Sequence, residues 1–215
     1  MKVNEIFSSI QGEGAYSGYP AMFIRLSGCN RKCSWCDTKY HTDGEEIKNS
    51  EISDIIKKSD KNIVVWTGGE PLLQLDDIKE VIKETSAKMH HLETNGDFNI
   101  ELITFDYVSF SPKDMKAMKK VVRRTKKWPV VCYDIKVVTD LKMNKELIPY
   151  ATMLMPLTTL VQNVNMSNYS RYDYQEQIDK ENKKNEQKVW DYCVKNNIRF
   201  CPRIHTQIWG VSRGK

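Results

Sequence analysis

No apolar run in this chain is longer than a strand, so a transmembrane helix is not expected. The first residues, MKVNEIFSSIQGEG, lack the apolar core of a secretory leader. That points to the cytoplasm, where thiols stay reduced. Internal repeats, low-complexity tracts and linkers are missing as well, and the expectation is a single domain over residues 1–215. A strong charge of one sign is absent too, the net charge being only +5. Much of that excess sits in KDMKAMKKVVRRTKKW (113–128), read as a solvated helix face or loop. Few aromatics interleave with its charges, so direct nucleic-acid binding is not expected. The last absence narrows the chemistry. Cys29, Cys33 and Cys36 crowd into SGCNRKCSWCDTKYH (27–41), and no fourth cysteine stands near them.

What the chain does have is a regular alternation of short β-branched runs and polar helical stretches. Short apolar, β-branched runs ended by turn residues predict strands over 21–28, 62–70, 90–96, 105–113, 132–140, 151–159 and 198–210. Helices are predicted over 45–58, 72–88 and about 170–196, with a loop over 163–170. Repeated βα units imply an α/β fold with a mainly parallel sheet or a partial (β/α) barrel. Such folds place the site at the C-terminal ends of the strands. The unusual segments fall there: the cysteine loop, TGGEP (67–71), ETNG (93–96), SPK (111–113) and MPLTT (155–159).

Three thiols at this spacing admit several readings. A structural zinc wants a closed shell of four, with His41 as the fourth ligand. A disulfide is disfavoured by the compartment, and three core cysteines by so polar a loop. An iron–sulfur cluster held by three cysteines leaves one iron without a protein ligand, open to a substrate or cosubstrate. The glycines of TGGEP let backbone approach a ligand closely, and Glu70 is an acceptor for an ammonium. The same segment also reads as a plain turn entering a helix with Pro71 at its first position. Arg25 lies in MFIRLS, where strand alternation aims it either at a pocket or at solvent. His205 reads as a core histidine, and Cys132, Cys193 and Cys201 as ordinary buried residues.

The C-x3-C-x2-C spacing, with Trp35 before the last cysteine and TGGEP at the next strand end, resembles the radical S-adenosylmethionine (SAM) superfamily. EIFSSIQGEGAYSGYPAMFIRLSGCNRKCSWCDT (5–38), with ETNG, SPK and HTQIWG (205–210), resembles the 7-carboxy-7-deazaguanine synthase family within it. The resemblance implies a reduced radical SAM barrel and a homodimer. It implies a 4Fe–4S cluster on Cys29, Cys33 and Cys36, and SAM at Trp35, Asp37, Gly69, Glu70, Ser111, Pro112 and Lys113. It further implies Mg2+ at Thr38 and a pterin at Ile10, Gln11, Gly12, Arg25 and Thr67. The implied reaction turns 6-carboxy-5,6,7,8-tetrahydropterin into 7-carboxy-7-deazaguanine with loss of ammonia. An electron donor such as flavodoxin or ferredoxin comes with it. MPLTT departs from the family's pattern, since a glutamine–proline pair is expected there.

Two other readings differ in what they bind. A glycyl-radical activating enzyme shares the cysteine spacing but acts on a partner protein. A zinc-stabilised nucleic-acid-binding module would use the basic stretch instead.

Overall fold

The computed structural model describes residues 1–100, 104–127, 132–159, 171–210 and 214, with 171–174 by backbone alone. The loop expected over 163–170 lies outside them, as does Trp128. The strands are β1 (Lys2–Ile10), β2 (Pro20–Leu26), β3 (Glu45–Glu46), β4 (Ile63–Gly68), β5 (Met89–Thr94), β6 (Tyr107–Phe110), β7 (Cys132–Thr139), β8 (Met153–Pro156) and β9 (Arg199–Phe200). The α-helices are α1 (Asn49–Lys58), α2 (Leu75–Glu84), α3 (Met115–Lys127), α4 (Arg171–Asn196) and α5 (Ile204–Trp209). All strands join one sheet in the order β3-β1-β2-β4-β5-β6-β7-β8-β9. From β2 to β9 every neighbouring pair is parallel, and only β1 runs antiparallel to its neighbours. The sheet is therefore α/β and mostly parallel, an open partial barrel.

Strand alternation sorts side chains onto two faces. Ile24, Leu26, Val64, Trp66, Leu92, Val108, Val137 and Leu154 form one continuous core with Ile52 and Ile56 of α1, Ile78 and Val81 of α2, and Met118 and Val121 of α3. Isoleucines and valines at helical spacing give α1 and α2 the apolar stripe that covers the sheet. The opposite face carries two kinds of lining. Phe23, Val65, His91, Tyr107 and Cys132 are register partners in one row. Two residues further along lies a polar row containing Arg25, Thr67, Glu93, Ser109 and Asp134.

Several boundaries differ from expectation. The segment expected as one strand over 198–210 pairs only at Arg199–Phe200 and then turns into α5. The helix expected over 72–88 starts as a 3-10 turn at Pro71–Gln74 and ends at Glu84. Strand β1 was not among the expected strands; its polar residues Asn4, Glu5, Ser8 and Ser9 interrupt the apolar run, and it carries a bulge between Val3 and Glu5. Cys132 is exposed at the start of β7, not buried. The basic stretch forms α3, whose Arg124 is buried. Among the described residues no helix is long and apolar enough to cross a membrane.

Candidate functional site

A cavity of about 620 Å3 opens where the parallel strands end. The cysteine loop forms one wall and carries Cys29, Cys33, Cys36, Trp35, Asp37 and Thr38 into it. Arg31 holds this loop in place. Its Nε and one terminal nitrogen each donate to Asp97 at 2.6 Å, and its other terminal nitrogen reaches Asp114 at 2.8 Å. Asn95 donates to Asn30 at 2.8 Å, tying the same loop to the ETNG turn. A forked guanidinium bonded to two carboxylates fixes a loop more firmly than a point charge would.

All three cysteines are free, and each is partly exposed. Burial pushes the Cys29 and Cys36 thiols up, so each must give up a proton when it ligates iron. Three thiols on one loop, all facing one cavity, suit a cluster that offers each of them a separate iron. The neighbouring turn is cut to the same shape. A Cβ on Gly69 would fall 2.1 Å from the Gly28 carbonyl oxygen and 2.9 Å from Cys29 Cβ, so only glycine lets TGGEP close on the cysteine loop. The donor set and this cradle fit an iron–sulfur cluster with a ligand seated over the glycines.

Glu70 serves the frame. It is fully buried and is not part of the cavity wall. Its carboxylate accepts from Leu72 N at 3.1 Å, Thr94 Oγ1 at 2.8 Å and Asn95 N at 2.8 Å. That engagement corrects the expectation of a side chain open to an ammonium, and its main chain is bonded as well, the N–H to the Gly28 carbonyl at 2.9 Å and the carbonyl to Leu73 N at 3.2 Å. Burial pushes its pKa up to about 7 despite these bonds. Pro112 is likewise buried behind the wall, while Ser111 and Lys113 reach it and bond to each other at 2.8 Å.

The polar row supplies the other wall. Arg25 donates through Nε to Glu5 at 2.9 Å, its cross-strand partner, and packs near the rings of Phe7 and Tyr40. Glu93 accepts from Thr67 Oγ1 at 2.8 Å and from Gln11 Nε2 at 3.1 Å. Ile10, Gln11 and Gly12 form the rim, and a Cβ on Gly12 would strike His205 Nδ1 at 2.3 Å. Thr38 is buried and donates to Asp37 Oδ1 at 3.0 Å. Every site residue expected from the sequence, apart from Glu70 and Pro112, therefore lines one cavity.

Sequence reasoning missed an ion network that closes this cavity. Glu13 bonds Lys136 of β7 and, at 3.2 Å, Arg203 of the C-terminal segment. Arg203 also bonds Asp37 beside the last cysteine. Burial acts against each of these charges, and the opposite charges outweigh it. Glu13 and Asp37 are held below the usual carboxylate range, and Lys136 and Arg203 above their ordinary values. His205 lies 3.8 Å from Glu13, and burial lowers its pKa. It lines the cavity instead of sitting in the core. The one available signal was a lysine inside the apolar run of β7, at an inward-facing step of the alternation.

Comparison with known proteins identifies the superfamily and the fold. The family model described as the radical SAM superfamily matches residues 23–131, which include all three cysteines and TGGEP. The 7-carboxy-7-deazaguanine synthase of Thermoplasma acidophilum is 43% identical over 120 residues, covering 54% of this chain and 56% of that one. The enzyme of the same name from Bacteroides thetaiotaomicron is 45% identical over 112 residues, covering 52% and 60%. The matches thus span about half the length of these relatives. The crystal structure of QueE from Escherichia coli shares the fold, with a TM-score of 0.64 at 22% identity, covering 95% of this chain and 94% of that one.

Proposed function

The chain belongs to the radical SAM superfamily, and within it we propose a 7-carboxy-7-deazaguanine synthase acting on 6-carboxy-5,6,7,8-tetrahydropterin. One observation carries the reading. The cysteine loop, the Ile10–Gln11–Gly12 rim, Arg25 and Thr67 stand around a single cavity, as both a cofactor and a flat carboxylated substrate require. In this reading Cys29, Cys33 and Cys36 hold the 4Fe–4S cluster. SAM lies against Trp35, Asp37, Gly69, the Glu70 main chain, Ser111 and Lys113. Bound together, cluster and SAM supply a 5′-deoxyadenosyl radical.

The protein's own residues then orient the pterin. Arg25 meets the substrate carboxylate with a planar fork, steadied by Glu5. Gln11, Thr67 and Glu93, already bonded to one another, present donors and an acceptor to the edge of the ring. Thr38, whose hydroxyl donates to Asp37, would offer a hard oxygen ligand to a Mg2+ that assists binding of the substrate carboxylate. His205 lines the same cavity, 3.8 Å from Glu13, with its pKa lowered by burial. Overall, hydrogen is taken from C6, the ring contracts, and ammonia is lost.

The same proposal includes a single domain over 1–215, a cytoplasmic homodimer, and reduction by flavodoxin or ferredoxin, without membrane or direct nucleic-acid contact. The deciding experiment is anaerobic turnover of the reconstituted protein with dithionite, SAM, Mg2+ and the pterin, read by mass spectrometry. The expected products are 5′-deoxyadenosine and 7-carboxy-7-deazaguanine, both lost in Cys33→Ala. Finding 5′-deoxyadenosine alone would discard the pterin and keep the radical chemistry.

A further inference from the structure

We propose that the exposed face of α3, with the groove beside it, is the docking surface for an acidic one-electron carrier protein. The inference rests on the reading that the cysteine loop holds a reducible cluster. It starts from charges the site does not use. Helix α3 contains no acidic residue. Two of its cations have structural work: Arg124 donates to Asn99 at 3.0 Å, and Lys120 to the Asp97 carbonyl at 2.8 Å. Lys116, Lys119, Arg123, Lys126 and Lys127 are exposed, and none forms an ion pair among the described residues.

This arrangement opposes helix stability. Lys119 and Arg123, and Arg123 and Lys127, are like charges four residues apart, and each such pair costs a few tenths of a kcal/mol. Helix α2, in the same layer, alternates Asp76, Asp77, Lys79, Glu80, Lys83 and Glu84 and carries no such excess. Folding alone therefore does not call for the charge on α3.

The surface is also shaped for a protein. A groove of about 330 Å3 runs between α3 and the 3-10 turn at Lys145–Tyr150. Met115, Met118, Val122 and Tyr150 make its apolar floor, and Lys119, Arg123 and Lys126 line it with positive charge. The 3-10 turn adds one acid, Glu146, and one base, Lys145. Methionine, tyrosine and arginine are typical of the buried centre of a protein interface. A bare polyanion would leave the apolar floor unused.

Position completes the argument. Asp114 caps α3 by accepting from Ala117 N at 2.8 Å, and it also pairs with Arg31 of the cysteine loop at 2.8 Å. The N-terminal end of α3 thus lies beside the cysteine loop. A carrier bound there passes one electron to the cysteine-held cluster and is left oxidised by one electron; no bond forms or breaks in that step.

The test uses the reconstituted holoprotein and a variant carrying Lys119→Glu, Arg123→Glu and Lys126→Glu. Iron content and dithionite-driven SAM cleavage should match wild type, because the changes lie outside the cavity. With reduced flavodoxin as donor, the carrier concentration for half-maximal rate should rise at least about tenfold, and raised salt should bring wild type toward the variant. Replacing the same positions by Arg, Lys and Arg should restore wild-type behaviour. Unchanged dependence on flavodoxin would overturn the proposal. So would loss of RNA binding with flavodoxin dependence intact, since the patch would then be a nucleic-acid surface. A wild-type protein that takes up no iron–sulfur cluster would overturn the cluster reading and this proposal together.

Discussion

Two neighbouring rows of the same sheet face do opposite things. They are two residues apart along each strand, about 7 Å. The lower row places Phe23 and Val65 in a small apolar cluster with Phe7 and Tyr16, and Phe7 stacks on Phe23 at 5.1 Å. His91, packed between Tyr16 and Tyr107, has neither ring nitrogen hydrogen-bonded. In the upper row Arg25, Thr67 and Glu93 are all bonded, and the neighbouring Lys136 of β7 is held by Glu13. One pleat separates an apolar, largely aromatic floor from a wall of hydrogen-bonded polar side chains. A site built on rigid strands keeps its geometry only if the row beneath is packed solid. The floor should therefore govern stability, and the wall recognition.

The sharpest test removes the floor. Phe23→Ala should lower unfolding free energy by about 3–5 kcal/mol in urea titration. Iron bound per folded molecule should stay unchanged. A large loss of iron binding with little loss of stability would erase the distinction between the rows.

Lys136→Met challenges it from the other side, because it leaves the Glu13 carboxylate short of a buried partner. A loss of about 3 kcal/mol is expected, together with loss of turnover. Adding Glu13→Gln should recover much of the stability and none of the turnover. Recovery of both would make the network structural only.

His91 gives the floor its own pH signature. Burial lowers its pKa to about 4, below the value of an unfolded histidine. The unfolded chain then binds more protons between roughly pH 6.5 and 4, so stability falls as pH drops through that window, by about 3 kcal/mol in all. His91→Leu should flatten this acid limb and change little at pH 7. An unchanged limb would assign the proton uptake elsewhere.

The smallest effect belongs to the wall. Arg25→Lys keeps the charge but loses the fork. The KM for the pterin should rise about tenfold, roughly 1.4 kcal/mol, with kcat and urea stability nearly unchanged. A kcat effect alone would move Arg25 from binding to chemistry.

How much of this was legible depended on distance along the chain. The cysteine loop and the glycine turn are local devices, in which a few neighbouring residues fix both backbone and chemistry. The main strands showed themselves as short apolar, β-branched runs, as expected of parallel strands covered on both faces, so the fold class followed. Strand β1 stayed hidden because Asn4, Glu5, Ser8 and Ser9 break up its apolar residues. Glu70 looked like a ligand contact because sequence cannot show that Thr94 and Asn95 already occupy its carboxylate.

By itself, the sequence determined which chemistry is available: three thiols without a fourth, glycines where backbone must come close, and a charged residue set into an apolar strand. Only the tertiary structure decided which charges meet. The Glu13 bonds to Lys136 and Arg203 span 123 and 190 residues. No local pattern encodes such a pair, since it exists only once the sheet has brought β7 and the C-terminal segment to the first loop. Burial there leaves each of these charges dependent on its partners.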